Sequence, residues 1–310
     1  MKRLPQIALL PDGKRLHLQD GPIDLVIEAK GSENDVRAAY EAAARRFTGL
    51  LDELCDELTE LRKAADPVHS SLNGVVARRM HAAVAPFAAE QFITPMAAVA
   101  GSVAEEILGA MLGAARLDRA YVNNGGDIAL HLAAAEHFAI GLMDRPDRHG
   151  VMQTIGIDAD DAARGIATSG RHGRSFSLGI ADAVTVLART ASQADAAGTI
   201  IANAVDLPGH PAIVRLPANE LQPDSDLGAR LVTRDVGKLR DEEIDEALHA
   251  GVSRAQQLLA AGLIEGAALR LLGETAVVGS TGIRAGAVPA FHGSAVEGTA
   301  QVGSGARRVA

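Results

Sequence analysis

The sequence predicts an α+β fold in which mixed or antiparallel sheets are flanked by helices. Residues 119–190 contain several short β-rich runs separated by glycine and aspartate turns, which is typical of antiparallel strands. Segments before and after them carry apolar residues at three- and four-residue steps, which predicts amphipathic helices. The 310 residues are 47% hydrophobic but 3% aromatic, with 32 glycines. We therefore expect small side chains to pack helices closely against the sheet.

The overall charge and the cysteine content exclude several classes of protein. The chain has 30 basic and 39 acidic residues, for a formal net charge of −9, which argues against nucleic acid or an anionic membrane as the main partner. Cys55 is the only cysteine, so neither an intrachain disulfide nor a thiolate zinc cluster can form. The first residues lack the apolar core of a signal peptide. We expect a cytoplasmic, soluble protein.

The N-terminal part of the chain predicts a strand pair followed by a helix. Residues 4–30 alternate in polarity around a turn at Pro11, Asp12 and Gly13. Ser32 and Asp35 have the spacing of a capping box, and an apolar stripe continues from there to Leu61. This stripe predicts one long helix. Cys55 lies beside the stripe, so we expect its thiol to be packed.

The remaining elements follow from the same patterns. Pro86 and Pro95 should break residues 73–115 into shorter helices. The further predictions are strands within 119–190, a helix from about Ser192 to Ala204, a strand near 212–216, an amphipathic helix at 240–262 and one or two strands within 267–279. Residues 1–280 are expected to form one domain, and the Gly/Ala/Ser-rich residues 281–310 a tail or a loosely packed arm.

Residues 121–130, YVNNGGDIAL, are the first candidate for chemistry. Adjacent glycines allow the positive φ angles of a tight hairpin turn. They also allow backbone N–H groups to approach an anion or a flat ring, with Asn123 and Asp127 supplying fixed hydrogen-bonding groups. Both a plain turn and a ligand site at Asn123, Gly125, Gly126 and Asp127 agree with this pattern.

Residues 165–179, GIATSGRHGRSFSLG, are the second candidate. Thr168 and Ser169 follow a strand-like run, so their hydroxyls should lie at a strand end. Arg171, His172 and Arg174 add positive charge beside them, which suits a phosphate or a carboxylate. A polar turn with solvated arginines is the alternative.

The third candidate lies on the helix predicted to begin near Ser192. Asp195 and Thr199 are four residues apart and share one helix face. A carboxylate, a hydroxyl and a nearby backbone carbonyl suit Mg²⁺, which takes oxygen ligands. The competing explanation is a capping box from Ser192 to Asp195, which needs no metal. A cap leaves unexplained why Gly198 stands inside a helix, where glycine costs about 1 kcal/mol relative to alanine.

Taken in order, these stretches resemble the ApbE family, the FAD:protein FMN transferases. Residues 122–127 resemble the family's glycine-rich VN.GGD segment, residues 167–170 its ATSG strand end, residues 184–188 its following strand, and residues 194–199 its magnesium-binding ADA.AT segment. The resemblance covers about residues 96–206. It implies an ApbE-like α+β fold, Asp195 and Thr199 as metal ligands together with a backbone carbonyl near Gly198, and FAD or FMN as the ligand.

The chain also departs from the transferases. In that family the ATSG element is followed by Asp-Tyr and by a loop that carries the catalytic histidine. Here Arg171 and His172 follow instead, and the chain continues directly into the strand at 184–188. The sequence thus resembles a cytoplasmic branch of ApbE-like proteins without that loop, and standard FMN transfer to a protein is not expected.

Three hypotheses about function remain open at this stage. In the first, the protein binds a flavin or another phosphorylated ligand with Mg²⁺, and His172 is the replacement base. In the second, a hydrolase or isomerase acts on a small anionic metabolite such as a cyclic amide; Arg171 or Arg174 grips a carboxylate, and Asp127 or His172 moves protons. In the third, the fold binds a ligand without catalysis. A small-molecule ligand is common to all three, and a homodimer is one assembly the chain could form.

Overall fold

The computed structural model describes residues 4–143, 151–279 and 283–285. In this part of the chain the strands are β1 (Gln6–Leu9), β2 (Leu16–Asp20), β3 (Ile23–Lys30), β4 (Arg119–Asn124), β5 (Asp127–Leu132), β6 (His137–Met143), β7 (Val151–Asp158), β8 (Gly165–Ser169), β9 (Ala183–Ala188), β10 (Ile213–Pro217), β11 (Leu231–Val236), β12 (Gly266–Leu271), β13 (Glu274–Val278) and β14 (Ile283–Ala285).

The helices are α1 (Glu33–Phe47), α2 (Leu50–Asp56), α3 (Leu58–Leu61), α4 (Val75–Ala88), α5 (Val99–Ala114), α6 (Ala191–Ala204), α7 (Ala218–Leu221) and α8 (Asp241–Ala260), with a single 3₁₀ turn at Pro95–Ala98 before α5. Helices and antiparallel sheets together confirm the predicted α+β class.

A nine-stranded sheet forms the centre of the molecule, in the order β1-β2-β3-β4-β5-β8-β9-β12-β13. Each neighbouring pair in it is antiparallel. Strands β6, β7 and β14 form a second sheet, and β10 and β11 form a two-stranded ribbon. The long connections between β3 and β4 and between β9 and β12 carry the main helices.

The two faces of the nine-stranded sheet are covered differently, as the alternation along β4 shows. Ala120 and Val122 point into a core with α1, α4 and α5, whereas Tyr121 points into a core with Phe138 and Ile155 of the small sheet. Further along the sheet, α6 and α8 cover the same face as α5. Helices therefore occupy one face, and the β6–β7 sheet occupies part of the other.

The single long helix predicted after Ser32 is wrong. Ser32 does cap α1, by accepting a hydrogen bond from the N–H of Asp35, but α1 ends at Phe47. Gly49, with a φ of 86°, turns the chain before α2. This turn directs Leu50 and Leu54 inward and leaves Cys55 exposed, so the prediction of a packed thiol is also wrong.

Of the two prolines expected to break helices, one does not. Pro95 begins the 3₁₀ turn before α5. Pro86 lies inside α4, close enough to its end that the missing N–H removes one hydrogen bond from the last turn and the helix continues to Ala88.

The segment Pro95–Ala114 is long and apolar enough to span a membrane by length and composition, with a mean hydropathy of 1.4. Within the protein, Val103, Ile107 and Met111 of this segment are fully buried in the core beneath the sheet. Such burial is typical of the core helix of a globular protein.

The tail or arm predicted at 281–310 falls mostly outside the described residues. The exception is β14, which pairs with β7 in antiparallel register.

Candidate functional site

The β4–β5 connection is a two-residue hairpin turn. Asn124 and Asp127 are paired across it, and Gly125 and Gly126 have φ angles of 66° and 114°. The N–H of Gly126 donates to Oδ1 of Asn123 (2.8 Å), which holds the turn. Positive φ at both central positions explains why the sequence has two glycines here.

The buried asparagine Asn124 connects this turn to α5. Its Nδ2 donates to the carbonyl of Ala100 at 3.1 Å, in the first turn of the helix. The structure therefore places the turn beside the N-terminus of α5, where unpaired backbone N–H groups carry partial positive charge.

Asp127, the residue after the turn, lies at the boundary between β5 and β8. The N–H of Thr168 donates to its Oδ1 at 3.3 Å. Burial raises the pKa of Asp127 to about 7, even though this hydrogen bond and the charge of Arg174 act in the opposite direction. The carboxyl therefore changes its protonation near neutral pH.

Asp195 reaches the same region from α6. Its Oδ2 accepts a hydrogen bond from the N–H of Gly101 (3.0 Å), and the N–H of Ala100 also contacts the carboxylate. Burial, and then the negative charge of Asp127, raise the pKa of Asp195 well above its ordinary value. Asp127 and Asp195 are 68 positions apart in the sequence, and the fold brings their charges into direct interaction.

The capping-box explanation of Asp195 is wrong. The helix begins at Ala191, and its cap is Thr190, which accepts a hydrogen bond from the N–H of Gln193. Ser192 already lies inside the helix, and its N–H donates to Oε1 of Glu105 at 2.6 Å. Asp195 thus contacts the first turn of α5 instead of capping its own helix.

The other predicted metal-site residues follow Asp195 along α6. A Cβ atom at Gly198 would lie 3.6 Å from the Cβ of Ser169, so this turn of the helix faces the end of β8. That separation is an ordinary contact, and steric crowding does not explain the glycine. Thr199 is half-buried in the next position.

The end of β8 holds the predicted hydroxyls. Oγ1 of Thr168 is hydrogen-bonded to Oγ1 of Thr185 on β9 at 2.9 Å, and Ser169 faces α6 as described above. Among the described residues, no group of three His, Cys, Asp or Glu side chains is arranged to hold a metal. An Mg²⁺ ion here would therefore depend on carboxylate, hydroxyl and backbone oxygens together, a donor set that suits this hard cation.

Arg174 lies directly over the glycine turn. A Cβ atom at Gly125 would be 1.5 Å from Nη2 of Arg174, so the guanidinium occupies the space that any larger residue would need. Its Nη1 is 3.5 Å from the carbonyl of Pro22. This position brings a positive charge to the edge of the region that contains Asp127, as its effect on the pKa of Asp127 shows.

Arg171 and His172 share one partner, Asp182. Nε and Nη2 of Arg171 lie 2.9 Å and 2.6 Å from Oδ1 of Asp182, and Nε2 of His172 lies 3.2 Å from the same atom. Oδ2 of Asp182 accepts a hydrogen bond from the N–H of Leu272 at 2.6 Å. Arg171 is thus held by a carboxylate within the protein, whereas Arg174 has no such partner among the contacts described above.

Sequence reasoning missed three residues that shape this region. Gly101 supplies an N–H to Asp195, Glu105 contributes a second negative charge that raises the pKa of Asp195, and Asp182 anchors the loop after β8. The small-residue segment at 97–108 was a signal for Gly101, because a helix that begins with small residues permits close approach. Nothing in the local sequence marks Asp182 as an anchor.

Comparison with known proteins gives the chain relatives over most of its length. Residues 7–277 match a family model described as "AbpE bacteria". A UPF0280 protein of Methanopyrus kandleri is 35% identical over 182 residues, which are 58% of this chain and 69% of the relative. UPF0280 proteins of Methanococcoides burtonii and Archaeoglobus fulgidus are each 38% identical, over 130 and 114 residues.

These last two matches cover 39% and 36% of this chain and 49% and 45% of the relatives. Among solved structures, the apo form of the Pseudomonas stutzeri flavinyl transferase ApbE aligns over 88% of this chain and 94% of its own. The TM-score is 0.45, at 10% sequence identity.

Proposed function

The chain belongs to the family described as "AbpE bacteria", and we propose from this premise that it binds a flavin nucleotide, or another small phosphorylated ligand, together with Mg²⁺. The observation that carries the proposal is the meeting of Asp127 and Asp195 at the N-terminus of α5. Burial raises the pKa of both carboxyls, and the charge of Asp127 raises that of Asp195 further. Such a pair favours a bound cation, because a cation offsets the repulsion between the carboxylates.

The surrounding groups fit a phosphorylated ligand. Asp195 and Thr199 would hold the ion with a backbone carbonyl near Gly198, and Mg²⁺ would supply charge neutralisation for phosphate oxygens. Arg174 stands at the edge of the same region, and a guanidinium binds phosphate through paired N–H donors. The glycine turn allows a flat ring or an anion to approach the backbone closely.

The direct test is calorimetric titration of the protein with FMN, FAD and riboflavin, each with and without Mg²⁺. Riboflavin lacks phosphate and is the matched probe. We expect FMN or FAD to bind more tightly with Mg²⁺ than without it, and riboflavin to show no such dependence. Asp195→Asn should remove the Mg²⁺ effect, whereas Asp245→Asn on the exposed face of α8 should keep it. If the wild type binds FMN and FAD with the same affinity with and without Mg²⁺, the proposal is contradicted.

One observation favours a second candidate function, the hydrolase or isomerase of a small anionic metabolite. A carboxyl with a pKa of about 7, as burial gives Asp127, is suited to general acid–base catalysis near neutral pH. A panel of cyclic amides, assayed for ring opening across pH, tests this function. Turnover with an inflection near pH 7 that disappears in Asp127→Asn would support it, and the absence of turnover across the panel would argue against it.

A further inference from the structure

Strand β1 is an edge of the nine-stranded sheet, and each of its four residues is exposed. Ile7 and Leu9 are 47% and 58% exposed. Their partners across the β1–β2 pair are Leu18 and Leu16, which are buried in the core beneath the helices. Side chains opposite each other in a pair lie on the same face. The apolar face of the sheet therefore continues beyond its helical cover into solvent.

The backbone of β1 offers hydrogen-bonding groups outward at the same two residues. The N–H of Leu10 donates to the carbonyl of Arg15 in the register of the β1–β2 pair. Since such bonds alternate along an antiparallel pair, Ala8 and Gln6 also face β2. The N–H and C=O groups of Ile7 and Leu9 then point away from the sheet. Pro5 and Pro11 lack an N–H, but both lie outside the segment Ile7–Leu9. The two outward N–H groups are therefore both present.

The charges around β1 do not oppose contact with a second copy. Leu4–Leu10 contains no charged residue, although the whole chain carries a formal charge of −9. Natural sheets usually protect their exposed edges with charged side chains, bulges or a covering segment. The opposite edge of this sheet, β13, begins with the exposed Glu274. Of the two edge strands of the nine-stranded sheet, β1 is the one without a charged side chain. Two β1 strands can therefore approach each other without charge repulsion between their side chains.

We propose that two copies of this chain pair through β1 in an antiparallel arrangement, with a two-fold axis beside Ala8. Ile7 of each copy would exchange both backbone hydrogen bonds with Leu9 of the other. Ala8 would face Ala8 of the second copy, where its small side chain permits the close spacing of a pair that is not hydrogen-bonded. The two apolar faces would join into one, and the symmetry closes the assembly as a dimer. This proposal is independent of the ligand.

Sedimentation velocity of the full chain across micromolar concentrations tests the dimer. The wild type should sediment as a dimer, and Ile7→Lys as a monomer. Leu9→Pro should do the same, because it removes an outward N–H and leaves the β1–β2 bonds in place. Val277→Lys is the matched control: Val277 is also 47% exposed and lies on the opposite edge strand. It should remain dimeric, and thermal melting followed by circular dichroism checks that each variant is folded.

A cysteine cross-link tests the register. In a Cys55→Ser background, Ala8→Cys should form a disulfide-linked dimer under mild oxidation, because the Cα atoms of such a pair are about 4.5 Å apart, within the range that a disulfide spans. Val277→Cys in the same background should not. A monomeric wild type, a dimer that survives Ile7→Lys, a dimer broken by Val277→Lys, or a dimer that Ala8→Cys fails to cross-link would each overturn the proposal.

Discussion

The carboxylate of Asp195 accepts a hydrogen bond from the N–H of Gly101 at 3.0 Å, so a side chain in the second turn of α6 is attached to the first turn of α5. The two helices also approach closely here, since a Cβ atom at Gly101 would be 2.3 Å from the carbonyl oxygen of Ala191. Asp195 is therefore oriented before any ligand arrives.

The first prediction is that Asp195→Asn stabilises the metal-free protein at high pH. Burial and Asp127 raise the pKa of Asp195 in the folded state above its unfolded value of about 3.9. Stability linked to such a group is fully present below the unfolded pKa and is lost as pH rises through the folded pKa. We expect Asp195→Asn to raise the free energy of unfolding at pH 8, with little gain at pH 4.

Urea unfolding at several pH values measures this effect, and the exposed Asp245→Asn serves as the control. Added Mg²⁺ should recover stability at pH 8 in the wild type and in Asp245→Asn, but not in Asp195→Asn. A variant that is less stable than the wild type at pH 8 without metal would contradict the assignment of repulsion between the two carboxylates.

The second prediction separates backbone strain from ligand binding at the glycine turn. Gly13 and Gly125 have φ angles of 68° and 66°, but a Cβ at Gly13 meets nothing within 4 Å, whereas a Cβ at Gly125 meets Arg174. Either substitution by alanine should cost about 1–2 kcal/mol of stability from strain. The exposed arginine can swing away, so Gly125→Ala should lose little more stability than Gly13→Ala.

Gly13→Ala and Gly125→Ala should instead differ in their affinity for the ligand. Displacing Arg174 removes its charge from the site, so Gly125→Ala should weaken binding of a phosphorylated ligand several-fold, and Arg174→Ala should weaken it similarly. Thermal melts and FMN titrations of the two alanine variants give both quantities. Equal FMN affinities in Gly13→Ala and Gly125→Ala would show that Arg174 does not contact the ligand.

The third prediction concerns Asp182. Asp182→Ala removes the shared partner of Arg171 and His172 and the acceptor for the N–H of Leu272. Leaving such groups unpaired costs about 1–3 kcal/mol for each group that becomes unsatisfied. We expect a lower free energy of unfolding and faster proteolysis within residues 170–182, while Asp182→Asn, which keeps an acceptor, should lose less. Proteolysis unchanged in Asp182→Ala would mean that the loop is held by other contacts.

The fourth prediction is that this protein does not transfer FMN from FAD to a threonine of an acceptor protein at the rate of a dedicated transferase. Between Gly170 and Val184 the chain carries one histidine, His172, and Asp182 holds it beside Arg171. A positioned base contributes about 10²–10⁴-fold in rate. Incubation with FAD, Mg²⁺ and an acceptor domain, followed by in-gel fluorescence, gives the answer. A strong covalent band that is lost in His172→Ala would restore the transferase function.

The order of elements along the chain was predictable because periodicity is local information. The strands from β4 to β9, the helix α6 and the pair β12–β13 all follow from alternation or from three- and four-residue spacing. The break at Gly49 was not predictable from periodicity. The apolar stripe continues across it, and only the turn of the backbone separates α1 from α2. Cys55 was misplaced for the same reason.

The site was predictable only in part, because its geometry depends on long-range contacts. The residue types at 123–127, 168–174 and 195–199 indicated chemistry, but their meeting at the start of α5 depends on strand order and helix packing. The pairing of Arg171 with Asp182 is likewise set by the tertiary structure. A sequence pattern reports which charges are present; it does not report which of them neutralise each other inside the fold.

Helix α6 has buried residues around most of its circumference, and this limits how the site can vary. Its buried residues include alanines at 191, 194, 196, 197 and 202, whereas Asp195 and Thr199 are half-buried. The close-packed alanines hold the helix in one rotation about its axis. The direction of Asp195 is thus fixed by methyl groups that never touch a ligand. A larger side chain at any of these five alanine positions would displace the helix, and Asp195 with it.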